Sequence, residues 1–134
     1  MTISKDFPQI TNRRIASNGI ELNIAEQGKD DAPLIVMLHG FPESWFSWRH
    51  QFAPLAAAGY HVVAPDMRGY GESDKPSAIT AYNQVEIVND IKGLVDTLGY
   101  ETAIVIGHDW GGPTAWSCAL WHPKIFTAVG VLSV

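Results

Sequence analysis

Asp109 stands at the centre of Gly107-His108-Asp109-Trp110-Gly111, preceded by Ala103-Ile104-Val105-Ile106 and followed by Gly112-Pro113. The apolar, β-branched run reads as a buried strand, and Pro113 sits where a helix begins. Small residues two before and two after the central position let strand and helix pass close together, which leaves the central side chain exposed in a strained turn. The spacing therefore predicts a nucleophile elbow with an aspartate in place of the usual serine. A carboxylate with a pKa near ~4 is already an anion at neutral pH and needs no base for its first step. Attack on an ester or amide would form an unstable anhydride. Attack on a saturated carbon bearing a strained or good leaving group forms an ordinary ester, so the expected substrate is an alkylating electrophile. The positive end of a helix starting near Gly111 helps keep Asp109 ionised and supplies amide donors for an oxyanion. The plain alternative for Asp109 is a helix N-cap before Gly-Gly-Pro.

The elements that must carry this turn follow from patterning. Asn18-Gly19 suits the two positive-φ positions of a type I′ turn, between Arg13–Ser17 and an alternating strand over Ile20–Ala25. Leu34–Leu38 is continuously apolar, as a strand buried on both faces is. Trp45, Trp48, Phe52 and Leu55 recur at helical spacing, with Pro54 expected to start a second short segment. His61–Pro65 is the next strand, and Asp66–Ser73 is a glycine-rich structured loop continuing past Pro76. Val88, Ile91, Val95 and Leu98 mark an amphipathic helix ended by Gly99. The elbow strand and its helix follow, to about His122-Pro123, and Ala128–Leu132 is the last strand. Strands alternating with helices after an opening hairpin give an α/β fold with a mostly parallel sheet of about six strands. Ligands bind at the carboxyl ends of such strands, where the loops after Leu38, after Pro65 and at the elbow meet.

Composition narrows the function. The net charge of −5 is spread without a basic cluster, which disfavours nucleic acid and acidic membrane surfaces as partners. The single cysteine, Cys118, is expected as a small packing residue. The opening residues lack a signal-peptide core, no apolar run reaches membrane-spanning length, and a cytoplasmic protein is expected. No Cys or His spacing suggests a metal site, no Gly-rich loop carries a P-loop lysine, and no cofactor is expected. Residues 1–9 read as a flexible tail, and the rest as one folding unit.

Three separated motifs, His39-Gly40-Phe41-Pro42-Glu43-Ser44-Trp45, Gly69-Tyr70-Gly71-Glu72-Ser73 and Gly107-His108-Asp109-Trp110-Gly111-Gly112, together resemble the α/β-hydrolase superfamily, and within it the soluble epoxide hydrolases. The likeness runs from about Leu34 to the end. It implies an α/β-hydrolase fold and a two-step reaction: Asp109 opens an epoxide to a hydroxyalkyl ester, and water activated by a histidine then releases a vicinal diol. It also implies that the backbone amides of Phe41 and Trp110 form the oxyanion hole, and that Phe41-Pro42 is a cis peptide. By the same likeness the charge-relay acid, the catalytic histidine and a cap with two ring-protonating tyrosines belong downstream. Residues 1–134 are therefore expected to be the amino-terminal part of one α/β-hydrolase domain, without its cap and needing its carboxyl-terminal part.

None of the five histidines, His39, His50, His61, His108 and His122, occupies the family's base position. His39 is expected to brace its loop by hydrogen bonding, and His108 to be structural, because neighbours in an extended turn point to different sides. Gly40 and Pro42 complete the supporting motif. Trp110 divides between core and pocket wall. Asp66 and Arg68 are expected to organise their loop as an ion pair, while Tyr70 and Tyr82 have no cap to aim them at an epoxide oxygen. Haloalkane dehalogenases are the enzymatic rival. Many carry asparagine after His-Gly where this chain has Phe41, and fluoroacetate dehalogenases follow the nucleophile with arginine where this chain has Trp110. A non-catalytic half-domain is the alternative of another class, because Ala128–Val134 would leave an apolar sheet edge.

Overall fold

The computed structural model describes residues 2–3 through their backbone, and residues 6–132. Thr2–Ile3 (β1) pairs antiparallel with Thr11–Ser17 (β2), within the stretch assigned above to a flexible tail. The difference has an apolar cause: Ile10 is 1% exposed, and the Phe7 ring meets Phe46 and His50 edge-on, so this segment is tied to the core. Asn18 and Gly19, at φ 51° and 79°, reverse the chain into β3 (Ile20–Gln27), with Ser17 opposite Ile20. Both positions take the left-handed conformation that the Asn-Gly pair suits.

Leu34–Leu38 (β4) is buried at every position, as its unbroken apolar run requires between two covered faces, and so is His61–Pro65 (β5), where His61 is the one buried polar side chain. Between them a 3₁₀ turn over Trp45–Trp48, capped by Ser44 Oγ, leads to α1 (Phe52–Ala57). The expected second short segment is α1, which opens at Phe52, two residues earlier than expected, so that Pro54 is its third residue. Its missing N–H is harmless there, because the first helical turn leaves its amides without intrahelical acceptors. After the long loop comes α2 (Gln84–Thr97), capped by Asn83, whose side chain accepts from the Glu86 amide at 2.9 Å. Gly99, at φ 84°, ends it. Ala103–His108 (β6) leads into α3 (Gly111–Trp121), and β7 (Phe126–Leu132) follows. This last strand starts two residues before the expected Ala128, because Phe126 is buried and pairs with Ala103 ahead of a register shift.

The seven-stranded sheet has the order β1-β2-β3-β5-β4-β6-β7, one more strand than expected because of β1. β5, β4, β6 and β7 run parallel, and the hairpin joins antiparallel through β3 and β5. One face packs Ile35, Met37, Val62 and Ala64 with Trp48 and Phe52. The other packs Val36, Leu38, Val63 and Val105 with Val88, Ile91 and Leu94 of α2 and Ala115 and Cys118 of α3. Cys118 is a buried packing residue, and burial pushes its thiol up to about 12. No helix among the described residues is long and apolar enough to cross a membrane. The order sets β4 and β6 side by side, Leu38 opposite Gly107, so the loop after β4 ends beside the elbow after β6.

Candidate active site

Glycines decide the geometry of the elbow. A Cβ at Gly107 would run into the Gly111 carbonyl, and one at Gly111 would run into the carbonyl of Leu38, so β6, α3 and β4 approach too closely for any side chain there. Asp109, between them, has φ 55°, a left-handed conformation unusual outside glycine and asparagine. Gly40 has a separate role: a Cβ there would lie 2.7 Å from Asp109 Oδ2. The position is empty of side chain so that the carboxylate can lie against the loop after β4. Substituting Gly107 with alanine should cost about 1–3 kcal/mol through backbone overlap. Urea denaturation checks this, and an unchanged midpoint would contradict the close approach.

The Phe41 amide donates to Asp109 Oδ2 at 3.0 Å, and the Phe41-Pro42 bond is cis, as the resemblance implied. Hydrogen bonds from the Phe41 amide and then the Trp110 amide hold the Asp109 carboxyl below its ordinary 3.8, with a smaller contribution from His108. The N-cap of α3 is Trp110 without a side-chain cap, and the Asp109 carboxyl lies between the Trp110 amide at that helix end and the Phe41 amide of the loop after β4. Asp109 is half-buried. Phe41 and Trp110, 60% and 69% exposed, carry large rings beside it.

His39 is buried. Its Nε2 accepts from the Met67 amide at 2.9 Å, so Nδ1 carries the proton and donates to the Gly40 carbonyl at 2.9 Å. Burial lowers its pKa, in keeping with a neutral ring. His108 faces the other way, with Nδ1 3.7 Å from Glu43 Oε1 and its ring edge-on to Trp48. Glu43, whose Oε1 accepts from the Gly40 amide at 3.1 Å, is a neighbour that sequence reasoning did not single out.

The expected ion pair between Asp66 and Arg68 is absent among the described residues. Arg68 makes a bidentate pair with Asp90 of α2, 2.8 Å from Nε to Oδ2 and 2.8 Å from Nη2 to Oδ1. Asp66 instead accepts from the Trp45 amide (2.9 Å), Asn23 Nδ2 (2.9 Å) and the Glu72 amide (3.0 Å). Asp66 and Arg68 both lie in the loop past the end of β5, where strand alternation no longer sets side-chain direction and each reaches its own partners. Asp66 thereby ties the loop after β5 to the turn that follows Pro42.

Tyr70 comes from that same loop to lie against His39, ring centroids 5.1 Å apart, and against Phe41 at 6.4 Å. Burial and then the Asp109 charge raise its pKa. Tyr82 is turned away, its hydroxyl donating to the Pro76 carbonyl at 2.6 Å. A cleft of about 130 Å³ opens between Tyr70, Met67, Ile87, Gln84, Thr114 and Trp110, over His39 and Gly40. Trp110 is thus a pocket wall and not core. Gln84 and Thr114 reach the cleft from helix termini, a placement that no local motif signals. Trp48 is core, whereas Trp116 and Trp121 are half exposed on α3.

Two polar regions lie elsewhere. A groove of about 700 Å³ along α2, lined by Lys92, Asp96 and Glu101, contains none of the expected site residues. Ligand atoms of Glu26, Asp30 and His61 lie within 4.8 Å of one another. Glu26 there already accepts from Arg13 Nε at 2.5 Å and is 3.0 Å from His61 Nε2, so the cluster is internally paired.

A carboxylate on a tight strand-turn-helix, at the carboxyl edge of a parallel sheet, is the geometry of elbow-type α/β proteins. The chain belongs to the α/β hydrolase fold family, whose model matches residues 33–133. It is 48% identical to epoxide hydrolase A of Mycobacterium tuberculosis over 124 residues, which is 92% of this chain and 38% of that protein. It is 45% identical to epoxide hydrolase 3 of Siraitia grosvenorii over 126 residues, 94% of this chain and 39% of that one. The crystal structure of epoxide hydrolase A from Mycobacterium thermoresistibile superposes with a TM-score of 0.92 at 48% identity, covering 93% of this chain and 39% of that one. The chain thus spans about two fifths of the length of these relatives.

Proposed function

We propose that this chain carries the nucleophile of an epoxide hydrolase that acts on a small-molecule epoxide and water in the cytoplasm. The observation that carries the proposal is the Asp109 carboxylate at the elbow, held ionised by the Phe41 amide 3.0 Å away. In the first step a carboxylate oxygen bonds to an epoxide carbon and the ring C–O bond breaks, leaving a hydroxyalkyl ester on Asp109 once the ring oxygen takes up a proton. In the second step, water attacks the ester carbonyl. The Phe41 and Trp110 amides receive the developing oxyanion, and collapse returns the carboxylate and a vicinal diol.

Activating that water requires a base near the ester. His39 Nε2 is occupied by the Met67 amide, His61 Nε2 faces Glu26, and His108 faces Glu43. As the resemblance to the epoxide hydrolases implies, the base, its acid and the tyrosines that protonate the ring oxygen would come from the part of a relative-length protein beyond the matched stretch. The first step needs only Asp109 as nucleophile. With its pKa below 3.8, alkylation of Asp109 should persist as pH falls and reach half-maximum only below that value. Adduct formation followed by intact mass across pH 3–7 checks this, and a midpoint above 4 would contradict it.

Haloalkane dehalogenation is the second reading, since it uses the same aspartate elbow. Against it stand Phe41, where an asparagine would help hold halide, and the identities to epoxide hydrolases. The protein at its natural length, offered an epoxide and a haloalkane, should release diol and no halide. Halide release without diol would overturn the assignment.

A further inference from the structure

The peptide unit that joins Gly40 to Phe41 is engaged at both ends. Its N–H donates to Asp109 Oδ2 at 3.0 Å, and its carbonyl accepts from His39 Nδ1 at 2.9 Å and from the Glu43 amide at 3.0 Å. The His39 tautomer is not free to change. Nε2 must accept from the Met67 amide, which can only donate, so the proton stays on Nδ1 and points at the Gly40 oxygen. The ring is 2% exposed, with Tyr70 edge-on to it, so its orientation is held by packing as well as by hydrogen bonds.

We infer that His39 is a positioning residue that fixes and polarises the Gly40–Phe41 peptide, and so sets the strength and aim of the Phe41 oxyanion donor. The inference rests on the reading above, in which that amide receives the oxyanion of the second step. Donation to a peptide carbonyl draws electron density along the amide and makes its N–H a better donor. Such cooperativity strengthens a bond by roughly 10–30% in condensed phase. Because the loop after β5 supplies the Met67 amide, His39 also couples that loop to the donor.

The two nitrogens can be separated by substitution. In His39→Asn, the side-chain amide nitrogen sits where Nδ1 was and keeps the bond to Gly40, while the acceptor for Met67 is lost. His39→Gln places its oxygen near the former Nε2 and keeps the Met67 bond, while the donor to Gly40 is lost. In the protein at its natural length, single-turnover mass spectrometry follows formation and breakdown of the Asp109 ester, and amide spectra follow the Phe41 N–H. His39→Asn, which keeps the donor to Gly40, should lose clearly less of both than His39→Gln. His39→Gln should move the Phe41 resonance upfield and slow ester breakdown about tenfold to a hundredfold, with formation changed far less. Equal losses in the two variants, or formation and breakdown falling together, would mean a merely structural residue and overturn the inference. The imidazole nitrogen shifts of the wild-type protein test it without a variant: a proton on Nδ1 supports it, and one on Nε2 overturns it. Should no ester form on wild-type Asp109, the epoxide reading fails, while the Phe41 and imidazole resonances still decide the role of His39.

Discussion

Asp109→Asn should abolish ester formation and lower diol production by roughly four orders of magnitude or more, with the fold intact. The substitution is nearly isosteric and removes the one property the first step uses, a negative oxygen. It is also the change best suited to the backbone, because asparagine tolerates the left-handed conformation that Asp109 adopts at φ 55°. The amide oxygen can still accept from the Phe41 N–H, so the elbow keeps its contact with the loop after β4. Loss of the negative charge beside Tyr70 should let that phenol ionise somewhat more readily. The variant therefore separates chemistry from architecture. Its melting temperature should lie close to that of wild type while an epoxide leaves no mass adduct. An adduct at another residue, with diol production retained, would remove Asp109 from the mechanism.

The largest expected loss of stability lies away from Asp109. Arg68→Ala should destabilise the fold by about 3–5 kcal/mol, because it leaves Asp90 as a buried carboxylate without its cation. Arg68 and Asp90 are 5% and 1% exposed and form a two-bond pair, and Arg68 Nη1 also donates to the Ala81 carbonyl at 3.0 Å. Asn18 Nδ2, 3.0 Å from Asp90 Oδ1, would be the carboxylate's remaining side-chain donor. Burial makes the pair insensitive to salt, unlike the exposed pairs of Arg14 with Glu21 and Asp74. Urea denaturation of both single variants and of the Arg68→Ala/Asp90→Ala double variant measures the coupling, and the double variant should be more stable than the sum of the singles implies. A loss under about 1 kcal/mol in Arg68→Ala would place the pair with ordinary surface ion pairs and contradict this account.

The parts of the structure legible in the sequence are those written in local terms. The Asn18-Gly19 turn, the unbroken apolar run of β4, the Gly99 stop and the Gly-x-Asp-x-Gly elbow each express a constraint within a few residues. The elbow was readable because the same glycines that meet the steric demand also announce it. Partnerships across long sequence separations were not. Arg68 reaches Asp90 twenty-two positions away, and nothing in the Asp66-x-Arg68 spacing distinguishes that partner from the nearer carboxylate. Asp66 collects donors from three different segments, and Tyr70 finds its place against His39 only when the loops after β4 and β5 converge. The strand at Thr2–Ile3 was missed for another reason: two residues are too few to show a period, and their pairing depends on the backbone of β2. The site divides likewise: Asp109 and the bracing role of His39 are readable from their own neighbourhoods, whereas the Met67 and Tyr70 partners of His39 are visible only in three dimensions.

The most direct test of the central claim is a single turnover in ¹⁸O-enriched water, with enzyme at its natural length in excess over epoxide. If Asp109 forms the ester, the oxygen added to the first diol comes from its carboxylate. That diol should be unlabelled, and the peptide containing Asp109 should gain one heavy oxygen. A labelled diol in the first turnover, with the Asp109 peptide unchanged, would mean that water attacks the epoxide directly and would contradict the assignment of Asp109 as nucleophile.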